Sequence, residues 1–152
     1  MPRLTITRGI EAPIGAVFAA VADVRNFAEI QPQIVDITFL SEQRTGVGTR
    51  FRETRQMGKR RASVELEVTE HVENDRVRLV SDAHGTVWDT VFTVRKAGEG
   101  RTELTMVMDA NGKSLLAWMM NPLVMGMVKG AVAADIDRVK AHCEAAASGA
   151  AA

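Results

Sequence analysis

Apolar and polar residues alternate at the start of the chain, with Leu4, Ile6 and Ile10 set against Thr5 and Thr7. This period of two predicts a strand over residues 3–10. Ala12-Pro13 then opens a helix, because proline in the first turn lacks only an N–H that would have had no partner. Ile14, Val17, Phe18, Val21 and Ala22 follow at helical spacing, and Asp23 to Ile30 reads as a second short helix ending before Pro32. Val35, Ile37 and Phe39 alternate with Asp36 and Thr38 as a second strand. From residue 46 the period of two persists. Strands are predicted at 47–56, 60–71, 76–84, 86–96 and 101–110, punctuated by Gly58, Asn74-Asp75, His84-Gly85, Gly98–Gly100 and Asn111-Gly112.

Ser114 is placed to cap a long helix, which Pro122 splits or kinks and whose second part is predicted to run to about Ala146. Val128, Val132, Ile136, Val139 and Cys143 form an apolar stripe along it, and Asp135, Asp137, Arg138 and Lys140 are read as lying off that stripe. The order is therefore β-αα-ββββββ-α. The economical architecture is α+β: a curved antiparallel sheet with the long C-terminal helix across its concave face.

The turns fix which side chains share a face. A two-residue turn at His84-Gly85 pairs Ala83 with Thr86, Ser81 with Trp88 and Leu79 with Thr90. Val77, Leu79, Ser81, Trp88, Thr90 and Phe92 then point inward, while Arg78, Asp82, His84 and Asp89 point out. Met106 and Met108 fall on the same inner face, expected opposite Thr90 and Trp88. A two-residue turn at Gly58 makes Phe51 cofacial with Val64, Leu66 and Val68, and carries Glu53 and Arg55 onto that face as well. Two readings of Glu53 and Arg55 stay open: this end of the strand flares into solvent, or they form a polar patch that orients the head of an apolar ligand. A three-residue turn would flip the face and remove the second reading.

Methionine is unevenly spread. Of eight in the chain, Met106, Met108, Met119, Met120, Met125 and Met127 fall between residues 106 and 127. Methionine is unbranched and polarizable and fills irregular space, so such a cluster suits a pliable apolar cavity as well as an ordinary core.

The remaining composition mainly excludes. At 152 residues, with 46% hydrophobic and 25% charged residues, the chain suits one globular domain. A formal net charge of zero gives no global field toward nucleic acid or anionic membrane. The basic cluster Arg50, Arg52, Arg55, Lys59, Arg60 and Arg61 contains Glu53 and reads as a solvated hairpin. His71, His84 and His142 show no metal-ligand spacing, and Cys143 is the only cysteine. No metal and no cofactor is expected. His142 and Cys143 point about 100° apart on a helix and form no dyad. Asp82, His84 and Asp89 lie on the outer face, where no cavity excludes water. No apolar leader opens the sequence, and the apolar run Leu115–Val128 is too short for a span of ~20 residues, so stable membrane insertion is not expected and a cytoplasmic location is. Gly126 and Gly130, four apart, suggest close approach of the helix to the sheet or a softened helix near a cavity mouth; a homodimer is left open.

Several strings together resemble a known family. They are Ile10-Glu11-Ala12-Pro13-Ile14 leading to Val17-Phe18, Ala22-Asp23-Val24 with Phe27 and Pro32, Gly46-Val47-Gly48-Thr49-Arg50-Phe51, and Gly100-Arg101-Thr102-Glu103-Leu104-Thr105 before the long helix. In this order they look like the polyketide cyclase/dehydrase and lipid-transport group of the START-like, helix-grip superfamily (SRPBCC, Bet v 1-like), over roughly residues 3–146. The resemblance implies a single helix-grip domain over 1–147, and the alanine-rich end Ala145–Ala152 reads as frayed, with 148–152 as a disordered tail. It also implies a cavity between sheet and C-terminal helix for a hydrophobic small molecule or lipid. It implies no reaction, because the superfamily hosts carriers, cyclases and hydrolases on one scaffold. The absence of tyrosine removes a phenol that could serve as a cavity acid.

The expected cavity lining is Phe51, Leu66, Leu79, Trp88, Phe92, Met106, Met108, Trp118 and Met125, with Ser81 and Thr90 as polar wall positions and Glu53 and Arg55 at a polar end. Three functions follow as expectations. The first is a carrier or binder of a hydrophobic small molecule or lipid. The second is a cyclase/dehydrase-like enzyme using Glu53 and Arg55. The third is an interaction module presenting Leu115–Val128 to a protein or membrane.

Overall fold

The computed structural model describes residues 3–83, 86–111 and 122–151. Strand β1 spans Arg3–Ile10, helices α1 and α2 span Ile14–Ala22 and Val24–Ile30, and β2 spans Ile34–Phe39. Five longer strands follow: β3 Arg50–Met57, β4 Arg60–Val72, β5 Arg76–Ala83, β6 Thr86–Gly98 and β7 Arg101–Asn111. Helix α3, Pro122–Ala151, closes the described chain. The predicted elements are all present, with one qualification: Ser114 and residues 112–121 lie outside the described residues, so the expected cap and the helix before Pro122 do too. The helix continues through the alanine-rich end to Ala151, past the expected end near Ala146 and through most of the 148–152 segment. Alanine, the strongest helix former, favours that extension.

The seven strands form one antiparallel sheet in the order β1-β7-β6-β5-β4-β3-β2. Sequence neighbours pair except at β1 and β2, which take opposite edges. The α1–α2 pair is the connection that crosses between them. Asp23 starts α2 by accepting from the Arg25 backbone N–H at 2.9 Å, an N-cap that also holds the Arg25 side chain. Pro13 stands at the N-cap of α1, one place earlier than the sequence suggests. Register shifts interrupt β2 at Ile34/Asp36, β4 at Val68/Glu70 and β6 at Lys96/Gly98. Such bulges bend a strand and increase its twist, which helps the sheet curl around α3.

The two strand pairings that decide the facing hold as expected. Met57 pairs with Arg60, leaving Gly58-Lys59 as the turn, with Gly58 at φ 63°. A positive φ at the first central position is what a type II′ hairpin requires and what glycine adopts freely. Ala83 pairs with Thr86, Ser81 with Trp88 and Leu79 with Thr90. The β6–β7 pairing departs from expectation: Met106 lies opposite Phe92 and Met108 opposite Thr90, not opposite Thr90 and Trp88. The register is one two-residue step away from the expected one, which leaves both methionines on the inner face.

Outside, carboxylates pair with some of the strand arginines. Arg52 bonds Glu65 at 3.0 Å, Arg50 lies 3.8 Å from Glu67, and Arg78 bonds Asp89 at 2.8 Å. The Arg52–Glu65 and Arg50–Glu67 pairs are exposed and contribute little each, while Arg78–Asp89 is part-buried. Asp82 is exposed, and His84 lies outside the described residues.

The core sits between β1, β7, α1 and the second half of α3. Ile10, Val17, Leu104, Met106, Ile136 and Val139 are all at most 1% exposed. Cys143 is buried among them, and its apolar surroundings push the thiol pKa up. The first turns of α3 differ: Leu123 is 79% and Met127 76% exposed. Gly126 and Gly130 are exposed as well, and among the described residues nothing lies within 4 Å of where a Cβ would stand. The expected close approach to the sheet at these glycines is therefore not seen.

Because the second half of α3 is seated and the first is not, two truncations on one helix should separate. Ile136→Ala should cost about 2–5 kcal/mol through lost burial and a cavity. Met127→Ala should stay within about 0.5 kcal/mol. Urea unfolding midpoints compare the two directly.

Candidate functional site

The inner face of the curled sheet is a lattice of rows that the strand register dictates. One row runs Phe51, Leu66, Ser81, Trp88, and the next runs Val68, Leu79, Thr90, Met108. A third brings Val77, Phe92 and Met106 into line. Between these rows and α3 lies a cavity of about 450 Å³. Phe51, Leu66, Leu79, Ser81, Trp88, Thr90, Phe92, Met106 and Met108 all line it, and so do Glu53 and Arg55. The helices complete the wall with Val21, Val24 and Phe27 from α1 and α2, and Val128, Val132 and Ile136 from α3.

Two expected residues remain. Trp118 lies outside the described residues. Met125 is half-buried on α3 but is not part of the cavity wall, which among the described residues of α3 begins one turn later at Val128. The expected patch Leu115–Val128 lies partly outside the described residues as well. Within its described part, Leu123 and Met127 are exposed.

At the polar end the strand does not flare into solvent: the side chains of Glu53 and Arg55 are 13% and 24% exposed. Arg55 donates from Nε to Glu53 Oε2 at 3.1 Å and from Nη1 to Asp135 Oδ2 at 2.9 Å. Arg138 donates to Asp135 Oδ1 at 3.1 Å and to Gln31 Oε1 at 3.2 Å. Gln31, 1% exposed at the end of α2, returns a bond from Nε2 to the Asp135 carbonyl at 2.9 Å. Burial works against the Arg55 charge, but the carboxylates of Glu53 and Asp135 outweigh it and raise its pKa above the ordinary arginine value. The guanidinium is thus a fixed cation, held by groups from β3 and α3 at once.

Asp135 escapes a reading that draws the helix stripe through apolar positions only. Its spacing carries the signal: Val128, Val132, Asp135 and Val139 follow i, i+4, i+7, i+11 on one face. Arg44 escapes it too. It lines the cavity from the loop after β2, with its guanidinium 4.7 Å from the centre of the Phe39 ring, a cation–π distance.

Two buried polar atoms have no hydrogen-bond partner among the described residues, Ser81 Oγ and His71 Nδ1. His71 stands edge-on to Phe18 with ring centres 5.3 Å apart. Ser81, 3% exposed, sits in the cavity wall between Leu66 and Trp88. An unpaired buried hydroxyl costs roughly 1–3 kcal/mol. No group of three or more His, Cys, Asp or Glu side chains suited to a metal occurs among the described residues, and none of their helices is long and apolar enough to cross a membrane.

Comparison with known proteins agrees with this geometry. Residues 1–144 match the family model described as polyketide cyclase / dehydrase and lipid transport. A search of the curated proteins found no match. Among solved structures, TTHA0849 from Thermus thermophilus aligns at TM-score 0.76 and 16% identity, covering 95% of this chain and 99% of that one. The Zhui aromatase/cyclase from Streptomyces sp. R1128 aligns at TM-score 0.76 and 15% identity, covering 94% and 93%. Ara h 8.0201 aligns at TM-score 0.71 and 13% identity, covering 93% and 97%. At these identities the likeness is one of fold.

If the Ser81 hydroxyl is unpaired without ligand, removing it should help the empty protein. Ser81→Ala should raise the melting temperature by about 2–4 °C, the equivalent of ~1 kcal/mol in a domain of this size. A lower melting temperature would mean that the hydroxyl is bonded.

Proposed function

Given that the chain belongs to the polyketide cyclase/dehydrase and lipid-transport family, we propose that it binds and carries a hydrophobic small molecule or lipid between sheet and α3. The observation that supports this most is the cavity itself: about 450 Å³, walled largely by apolar side chains from five strands and three helices. Pockets of roughly 300–1,000 Å³ with few convergent polar groups are what drug-sized apolar ligands occupy. Met106 and Met108 give the wall adaptable side chains. The Arg55 cluster supplies a fixed polar end.

A second reading is favoured by the same cluster. A cyclase/dehydrase-like enzyme needs polar groups within hydrogen-bond reach in a space that excludes bulk water. Glu53, Arg55 and Asp135 meet that requirement geometrically. If it holds, Glu53→Gln abolishes turnover of an aromatic or polyketide-like substrate while the ligand still binds.

The primary reading is tested by native mass spectrometry of protein purified from its own host, alongside a cavity-filling variant. Leu79→Trp occupies space that is empty in the wild type. The expected result is a co-purifying apolar compound on the wild type and at least tenfold weaker probe binding by the variant. A wild-type chain that carries nothing and binds no apolar probe would contradict the reading.

A further inference from the structure

The charge pattern at the polar end narrows the ligand's chemistry. We infer that the head group seated against Arg55 and Glu53 is uncharged, an alcohol, phenol or ketone, and that the site discriminates against the corresponding carboxylate. This deepens the proposed ligand-binding function and rests on it.

An isolated arginine in an apolar cavity would be a carboxylate receptor, since its planar fork matches two oxygens. Arg55 is not isolated. Two carboxylates already hold it, Glu53 at 3.1 Å and Asp135 at 2.9 Å, and Arg138 holds the second oxygen of Asp135. Two cations and two anions make the cluster neutral. A third carboxylate would lose its water shell on entering the cavity. It would meet one guanidinium whose field two neighbours have cancelled, with Glu53 beside it as a like charge.

A neutral polar group meets better conditions. Among the described residues, Arg55 Nη2 makes no hydrogen bond, and neither does Glu53 Oε1. One is a donor and the other an acceptor, on adjacent side chains of one strand face. A hydroxyl can accept from the first and donate to the second, and a carbonyl can accept from the first. Neither brings a charge to desolvate.

Arg44 is the competing anchor. It is exposed, lines the cavity from the Phe39 end of β2, and has no carboxylate partner among the described residues. In the β2–β3 ladder Phe39 stands opposite Phe51 and Arg55 opposite Ile34, so the two guanidinium-bearing positions lie at opposite ends of it. An anionic ligand would choose the Arg44 end, and a neutral one the Arg55 end.

The test uses matched pairs that share an apolar body: 2-naphthol with 2-naphthoate, and 1-decanol with decanoate. Each is titrated calorimetrically into the full chain at neutral pH. The neutral member of each binding pair should bind about tenfold or more tighter. Glu53→Gln leaves the cluster with a net positive charge, so it should raise carboxylate affinity about tenfold and narrow or reverse the preference for the neutral partner. Asp135→Asn should shift the preference in the same direction, which guards against one variant failing to fold. Carboxylates binding as tightly as their neutral partners would overturn the inference, above all if Arg44→Ala abolishes that binding, and ligand binding itself would stand. If no member of either pair binds, the ligand-binding function fails and this inference with it.

Discussion

An ionic bridge spans the cavity. Arg55 on β3 reaches Asp135 on α3 at 2.9 Å, with Glu53 behind it and Arg138 and Gln31 beyond. These groups could not be left unpaired in a partly buried place, so the sheet and helix are fixed relative to one another there. The apolar seat of α3 begins at the next residue, where Ile136, Val139 and Cys143 are buried against the core. A helix seated at one end and bridged across polar groups beside the space it encloses need not collapse onto the sheet. That arrangement accounts for a cavity of about 450 Å³ in a chain whose core is otherwise closely packed.

The bridge bears on both the carrier and the enzyme reading. Among the described residues, the same groups leave Arg55 Nη2 and Glu53 Oε1 without a hydrogen bond beside the cavity. Their primary effect is positional, since each charged group is compensated by another. Family membership and a fold shared with an aromatase/cyclase and with Ara h 8.0201 are compatible with either a carrier or an enzyme. What distinguishes them is whether Glu53 and Arg55 only orient a ligand or also move its protons.

Much of this is legible in the sequence because two tight turns fix the register. Once Gly58 and the His84-Gly85 pair are read as two-residue turns, strand alternation places Phe51, Glu53, Arg55, Leu79, Ser81 and Trp88 on one face without further information. The β6–β7 pairing is misplaced by one two-residue step because alternation fixes only which face a side chain takes, so a slip of two residues leaves the pattern unchanged. Asp135 goes unread for a different reason: a stripe drawn through apolar positions alone skips a charged residue that shares its face. Met125 errs the other way. Its composition suits a cavity, but where a cavity ends along a helix is a property of packing.

The methionines offer the most direct measurement. With 13C-methyl-labelled methionine, the spectrum should respond to an apolar ligand in a position-specific way. Met106 and Met108, cofacial with Phe92 and Thr90 in the cavity wall, should shift strongly on titration, while Met127, 76% exposed, should not. Shifts confined to Met127, or no methyl shift at ligand saturation, would contradict binding inside the cavity.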